Sequence, residues 1–394
     1  MVILGLILFF LSLASAWYLG YHARQKPQKK SPNLPRDYLV GLNYLLNEEP
    51  DKAVDVFIKM LEVDSNTVET HLAVGKLFRR RGEVDRAIRI HQNLIARPQL
   101  DKNYREQSLF ELGQDYFSAG MLDRAERIFI EVLGVKEYSV PALRALLDIY
   151  QQEKDWKNAI QIAYKLEIAT KKNMQPTIAH YYCELAKDIY AKGQYDEGNQ
   201  YIKNALNADQ NCVRASLLHA DAEITKGDFK MALKSLQNIK KQNPHYISES
   251  LHSLAFCFEA LQQEEKMIEY IIQLLEEYPH VPAVLLLSEH LQRWKGDKTA
   301  SEFVADYVRR YPSIQGLHQF IHFYLSNAKG QAREDLIILQ NLTKKLLADK
   351  PDYQCVSCGF SGKSLHWQCP GCKQWSTTKP MHALESFVMP QQQA

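Results

Sequence analysis

The sequence predicts an all-α fold: a superhelix of helical hairpins, preceded by one transmembrane helix and followed by a small cysteine-bearing knuckle. Three observations predict it. A pattern of small residues returns about every 34 residues through most of the 394-residue chain. The stretch from Val2 to Tyr21 holds no charged side chain. Four cysteines near the C-terminus fall into two C-x2-C pairs.

The N-terminal stretch reads VILGLILFFLSLASAWYLGY. A helix of about 20 residues spans about 30 Å, the thickness of a bilayer's hydrocarbon core. Trp17, Tyr18 and Tyr21 cluster at one end, where amphipathic rings favour the membrane interface. His22, Arg24, Lys26, Lys29 and Lys30 follow at once, and this flank is expected to stay in the cytoplasm. Ala14-Ser15-Ala16 resembles a signal-peptidase site, but a signal peptide carries its positive charge before the apolar run, not after it. The expected organisation is an anchor over residues 1–21 and a basic linker over 22–35, rich in Pro, Lys and Gln.

Residues 36–312 read as about eight hairpins. The small residue opening each second helix recurs as Ala53, Ala87, Ala125, Ala159, Gly198, Ala232, Lys266 and Ala300. The steps are 34, 38, 34, 39, 34, 34 and 34. A period of about 34 is that of the tetratricopeptide repeat. The matching first-helix position is Gly41, Gly75, Gly113, Leu147, Ala186, Ala220, Leu254 and Ser288, and small residues at both sites let two helices pack closely. Tyr44, Phe78, Tyr116 and Tyr150 keep the same phase, and Gly82, Gly120, Gly193 and Gly227 mark the turns. Lys266 and Leu254 depart from the pattern, so repeat seven is the least regular. Residues 313–350 are expected to form two capping helices.

Cys355, Cys358, Cys369 and Cys372 read C-x2-C-x10-C-x2-C. Four thiolates at this spacing can surround one tetrahedral ion, each pair gripping it from a tight turn that Gly359 and Gly371 assist. The unit over 351–379 is too short for a hydrophobic core and needs a metal, or alternatively two disulfides. Zinc and iron both accept four thiolates. His366 in the intervening loop is a conceivable substitute ligand. With a short break at Asp349-Lys350-Pro351, the knuckle is expected on the end of the superhelix, with Phe360, Trp367 and Trp375 as apolar contacts. Residues 380–394 lack periodicity and read as a disordered tail.

The formal net charge of +2 advertises no nucleic acid partner. No phosphate loop, nucleophile elbow or H-E-x-x-H is present, which points away from an enzyme. Cys183, Cys212 and Cys257 fall in helical patterns as small core residues, and His180 beside Tyr181-Tyr182 reads as a packed helix residue. Lys76, Arg79, Arg80 and Arg81, with Arg86 and Arg89, concentrate positive charge in repeat two. They are either a solvated face or a contact for anionic headgroups or an acidic partner.

Tyr353-Gln354-Cys355-Val356-Ser357-Cys358-Gly359-Phe360 and Trp367-Gln368-Cys369-Pro370-Gly371-Cys372 resemble the two knuckles of a rubredoxin-type site, which tilts the metal toward iron. The loop between them is much shorter than in classical rubredoxins, which weighs against electron transfer and leaves metal binding. Anchor, repeats and the signature ending at Trp375, taken together and in this order, resemble the lipopolysaccharide assembly protein B (LapB/YciM) family of Gram-negative bacteria. The resemblance implies a non-enzymatic adaptor at the inner membrane, with its bulk in the cytoplasm. It implies that the adaptor promotes degradation of the deacetylase LpxC by the membrane protease FtsH. It also implies contacts with membrane lipid and with other lipopolysaccharide synthesis and transport proteins. A generic repeat scaffold for another membrane complex, a redox protein and a nucleic-acid-binding zinc ribbon are the other readings of the same parts.

Overall fold

The computed structural model of the protein describes residue 17, residues 36–47, 49, 52–53, 56, 68–325, 328–348 and 350–381. The expected anchor, apart from Trp17, and the basic linker lie outside the described residues. Among the described residues no helix is long and apolar enough to cross a membrane. The chain divides into two compact units, residues 1–135 and 136–394.

The first unit contains α1 (Arg36–Leu46), α2 (Val68–Arg80), α3 (Val84–Ile95), α4 (Lys102–Ser118) and α5 (Leu122–Val132). Its repeat positions behave as their size demands. Ala53, Ala87 and Ala125 are fully buried. At Gly75 an added Cβ would meet the His91 ring at 2.5 Å, and at Gly113 it would meet Phe129 at 2.8 Å. Both contacts are shorter than packed atoms tolerate, so the two helices of each hairpin cross where a side chain is missing.

A buried ionic network joins these hairpins. Arg79 on α2 donates to Asp115 Oδ1 and Glu111 Oε2 on α4, each at 2.7 Å. Lys76 Nζ lies 2.8 Å from Glu111 Oε1. His91 Nδ1 bonds the other Asp115 oxygen, and both of these side chains are fully buried. Burial pulls on Arg79, but its bonds to Asp115 and Glu111 outweigh that and hold its proton more tightly than usual. The basic cluster expected as one anionic contact is therefore divided. Lys76 and Arg79 are committed within the fold by carboxylates 32 to 36 residues away, while Arg80 and Arg81 are exposed.

The second unit begins with α6 (Lys136–Glu153), α7 (Trp156–Thr170), α8 (Gln175–Tyr190), α9 (Tyr195–Ala208), α10 (Val213–Lys226) and α11 (Phe229–Gln242). A 3-10 turn (Pro244–Tyr246) leads into α12 (Ile247–Ala260), α13 (Glu264–Glu277), α14 (Val281–Lys295), α15 (Asp297–Arg310), α16 (Ile314–Leu325) and α17 (Gln331–Ala348). Each helix packs on its hairpin partner, and the first helices α8, α10, α12, α14 and α16 adjoin one another in succession. The turns share one device, a residue with positive φ: Lys154, Gly193, Gly227, Gln262 and Gly296. Asp155 and Asp228 follow two of them and cap α7 and α11 by accepting bonds from Asn158 and Met231 amides.

Gln262 corrects the reading of repeat seven. The turn falls there without a glycine, so the register moves by one residue. Met267 and Ala255 are buried at the positions matching Ala232 and Ala220, while Lys266 is exposed. A methionine fits because its unbranched thioether adapts to an irregular crossing.

After α17 come β1 (Tyr353–Cys355), β2 (Ser361–Gly362) and β3 (Thr378–Pro380), an antiparallel sheet in the order β2-β1-β3. Pro380, placed by sequence in the tail, pairs with Tyr353 in this sheet. Residues 382–394 lie outside the described residues.

Replacing Asp115 with Ala should cost about 3–5 kcal/mol, because Arg79 loses a counter-ion and buried His91 loses its hydrogen-bond partner. Urea unfolding with a probe in residues 68–135 checks this; a loss below about 1 kcal/mol would show the network to be dispensable.

Candidate metal centre

Each cysteine pair sits in the same backbone turn. The Cys355 carbonyl accepts from the Gly359 amide at 2.9 Å, and the Cys369 carbonyl accepts from the Lys373 amide at 2.9 Å. The Cys355 and Cys369 amides close the loops on the carbonyls of Phe360 and Gln374. Gly359 and Lys373 both have positive φ, at 78° and 59°. Lys373, not Gly371, is thus the left-handed residue of the second knuckle. Gly371 is needed for another reason: a Cβ there would lie 3.3 Å from Cys358 Sγ.

The turns bring all four sulfurs within 4.8 Å of one another. Cys355 and Cys372 are 3.8 Å apart, and Cys358 and Cys369 are 3.6 Å apart. Tetrahedral metal–sulfur bonds of about 2.3 Å place sulfurs about 3.8 Å apart. A disulfide would need about 2 Å, so the arrangement fits one tetrathiolate metal site and not the disulfide alternative. His366 bonds Ser364 Oγ at 3.2 Å and packs on Phe360, apart from the sulfur set.

The knuckle prepares its ligands for a cation. Burial pushes the Cys355 thiol up, but the Thr377 hydroxyl and the amides of Cys358 and Ser357 outweigh it and bring it down to about 6. The Phe360 amide lowers Cys358, but burial and the neighbouring sulfurs outweigh it and push that thiol up to about 11. Four thiolates this close repel one another, so a bound cation is what allows all four to ionise together.

The knuckle does not sit on the end of the array. It folds back onto α6 to α12 (Lys136–Ala260). Trp375 is the centre of the contact. Its ring stacks on His180 with centroids 5.0 Å apart and meets Tyr181 and Trp156 edge-on at 5.8 and 6.3 Å. Arg214 lies 5.8 Å from the same ring, and Trp375 Nε1 donates to Gln151 Oε1 at 3.2 Å. Trp367 packs between His180 and Tyr246. Tyr246 donates to the Thr378 carbonyl at 2.8 Å, and Tyr353 donates to Glu249 at 3.0 Å. Phe360, expected at this contact, packs against His366 within the knuckle.

His180 is the residue most changed by this docking. Burial, then the nearby Arg214 charge, lowers its pKa to about 3. It is therefore neutral and shares a 2.5 Å hydrogen bond with Ser376. The sequence held one signal for this surface: His180 and Arg214 are 34 residues apart, so two polar residues occupy one phase of the repeat. Both are buried.

Comparison with known proteins agrees with this geometry. A family model described as a rubredoxin metal binding domain matches residues 353–380, and a tetratricopeptide repeat model matches residues 70–102. Lipopolysaccharide assembly protein B of Escherichia coli (strain K12) is 36% identical over 388 residues, covering 98% of this chain and 100% of the relative. The protein of that name from Haemophilus influenzae is 33% identical, covering 97% of this chain and 98% of the relative. A solved tetratricopeptide repeat protein from Parabacteroides merdae aligns at a TM-score of 0.31 and 15% identity, covering 71% of this chain and 99% of its own, a likeness that adds nothing to the family match.

Purified protein should hold about one iron or zinc per chain. Replacing both Cys355 and Cys358 with Ser should abolish it; unchanged metal content would refute the ligand set. Docking should also weaken in acid. A freely exposed histidine has a pKa near 6.5 and the docked His180 about 3. Docking thus keeps this contribution above pH ~6.5 and weakens between pH ~6.5 and ~3, by at most about 1.4 kcal/mol per pH unit. Tryptophan emission, followed where metal content is constant, should report this loss, and His180→Asn should flatten the profile.

Proposed function

The chain belongs to the lipopolysaccharide assembly protein B family, and on that premise we propose that it is a membrane-tethered adaptor that restrains lipopolysaccharide synthesis. Residues 1–21 anchor it as a single-pass protein in the bacterial inner membrane, with its bulk in the cytoplasm. The hairpins hold LpxC, and the anchor keeps the complex beside FtsH. Raising the local concentration of a substrate at a protease strengthens a weak encounter and needs no reacting group of the adaptor's own. Arg80 and Arg81, exposed where α2 ends, are with exposed Arg89 the members of the basic cluster best placed to meet anionic lipid or an acidic partner.

The observation that carries this reading is the seating of the knuckle. Here Trp375, Trp367 and Tyr353 connect to Gln151, His180, Tyr246 and Glu249, residues about 100 to 220 positions away. Cys355, Cys358, Cys369 and Cys372 would hold the ion, iron or zinc, whose contribution is to keep the knuckle folded. The knuckle in turn shapes the face formed by the first helices, where a partner segment would lie. Other lipopolysaccharide synthesis and transport proteins are further candidate partners of the same surface.

Cells whose only copy lacks residues 353–394 should retain LpxC with a longer half-life than cells with the full chain. Trp375→Ala, which keeps the metal ligands and removes the docking, should lengthen it in the same direction. An LpxC half-life as short as with the full chain in both cases would reduce the knuckle to a stabilising appendage.

A further inference from the structure

The last helix of the array, α17, was expected to cap it, and a cap turns a polar face outward. Among the side chains described on α17, Thr343 is the one that is fully buried, held by His318 Nδ1 at 2.9 Å. Ile338, Leu342 and Leu346 stand 57%, 52% and 57% exposed. They are four residues apart and therefore lie on one stripe, with Leu339 beside them at 47%. A contiguous apolar stripe of this kind at the end of a repeat stack marks an interaction surface.

The charges around the stripe identify the partner. Glu334 and Asp335 lie in the first turns, and Lys344 and Lys345 lie in the last. Asp335 already accepts a 3.2 Å bond from Gln331 and is still exposed, as is Lys345. The residues Asp335, Ile338, Leu342 and Lys345 are spaced by 3, 4 and 3 positions. That spacing reads the same in both directions. Two copies of the helix laid antiparallel would oppose Ile338 to Leu342 twice and Asp335 to Lys345 twice. A two-fold interface is self-complementary in this sense: residue i meets j, and j meets i. The acidic turn of each helix would also face the basic turn of the other, which suits both helix dipoles.

We propose that α17 is a homodimerisation surface, pairing antiparallel with α17 of a second copy of this chain. The contact leaves the metal knuckle and its docking residues on α6 to α12 untouched, and it presents two repeat arrays per assembly.

Light scattering of the full chain in detergent should find two chains per particle, falling to one in Ile338→Glu/Leu342→Glu with helix content and metal content unchanged. The charge pairs supply the sharper test. Asp335→Lys alone sets two lysines opposite each other, and Lys345→Asp alone sets two aspartates opposite each other. Each should weaken dimerisation at least about tenfold, and the double exchange should restore it. Restoration supports a second copy, because a different partner would not carry the compensating change. A native chain with one copy per particle overturns the proposal. So does a dimer that survives Ile338→Glu/Leu342→Glu, or a double exchange no better than the singles. If removing residues 382–394 converts a monomer into a dimer, the chain's own tail is the occupant and the proposal fails.

Discussion

Four sulfurs within 4.8 Å of one another are the constraint on which the C-terminal unit depends. The unit spans fewer than thirty residues between Tyr353 and Met381 and contains three strands of two or three residues each. No core can form inside such a span, so a cation must offset the repulsion of the thiolates. That solves the interior only. The indole rings of the same knuckle, Trp367 and Trp375, pack outward against the helices. They find their partners on α7, α8 and the 3-10 turn, and the helices thereby bind to a unit far away in sequence.

The hairpins follow a different logic. Their crossings are set by what is missing: no Cβ at Gly75, Gly113 or Gly198, and a single methyl at Ala159, Ala232 and Ala300. A crossing built on absence is tolerant of surface change and intolerant of added bulk. Where a larger residue does sit at the crossing, as Met267 does, the turn before it has moved by a residue to accommodate it. The ionic network of Arg79, Glu111, Asp115 and His91 adds what apolar contacts lack, a directional demand. Arg79 and His91 each bond a carboxylate oxygen of Asp115, and Arg79 bonds Glu111 as well, in a single arrangement of α2, α3 and α4.

Much of the fold and of the metal centre was legible because both rest on local spacing. The 34-residue phase, the turn glycines and the C-x2-C pairs are short-range geometry written directly in residue order. Repeat seven was misread by one position because Gln262 adopts a glycine's conformation without being glycine. The basic cluster was misread as one surface because Glu111 and Asp115 stand 32 and 36 residues beyond Arg79.

The sequence by itself determined the repeat architecture, the four clustered cysteines and the family, since each depends on neighbours a few residues apart or on a period that recurs. Tertiary structure alone decided where the knuckle sits, which cations stay exposed and which face of α17 the described residues leave uncovered. Those outcomes depend on contacts between residues tens to hundreds of positions apart. Chain order carries no record of such distances, because the packing of every hairpin between them decides which surfaces meet.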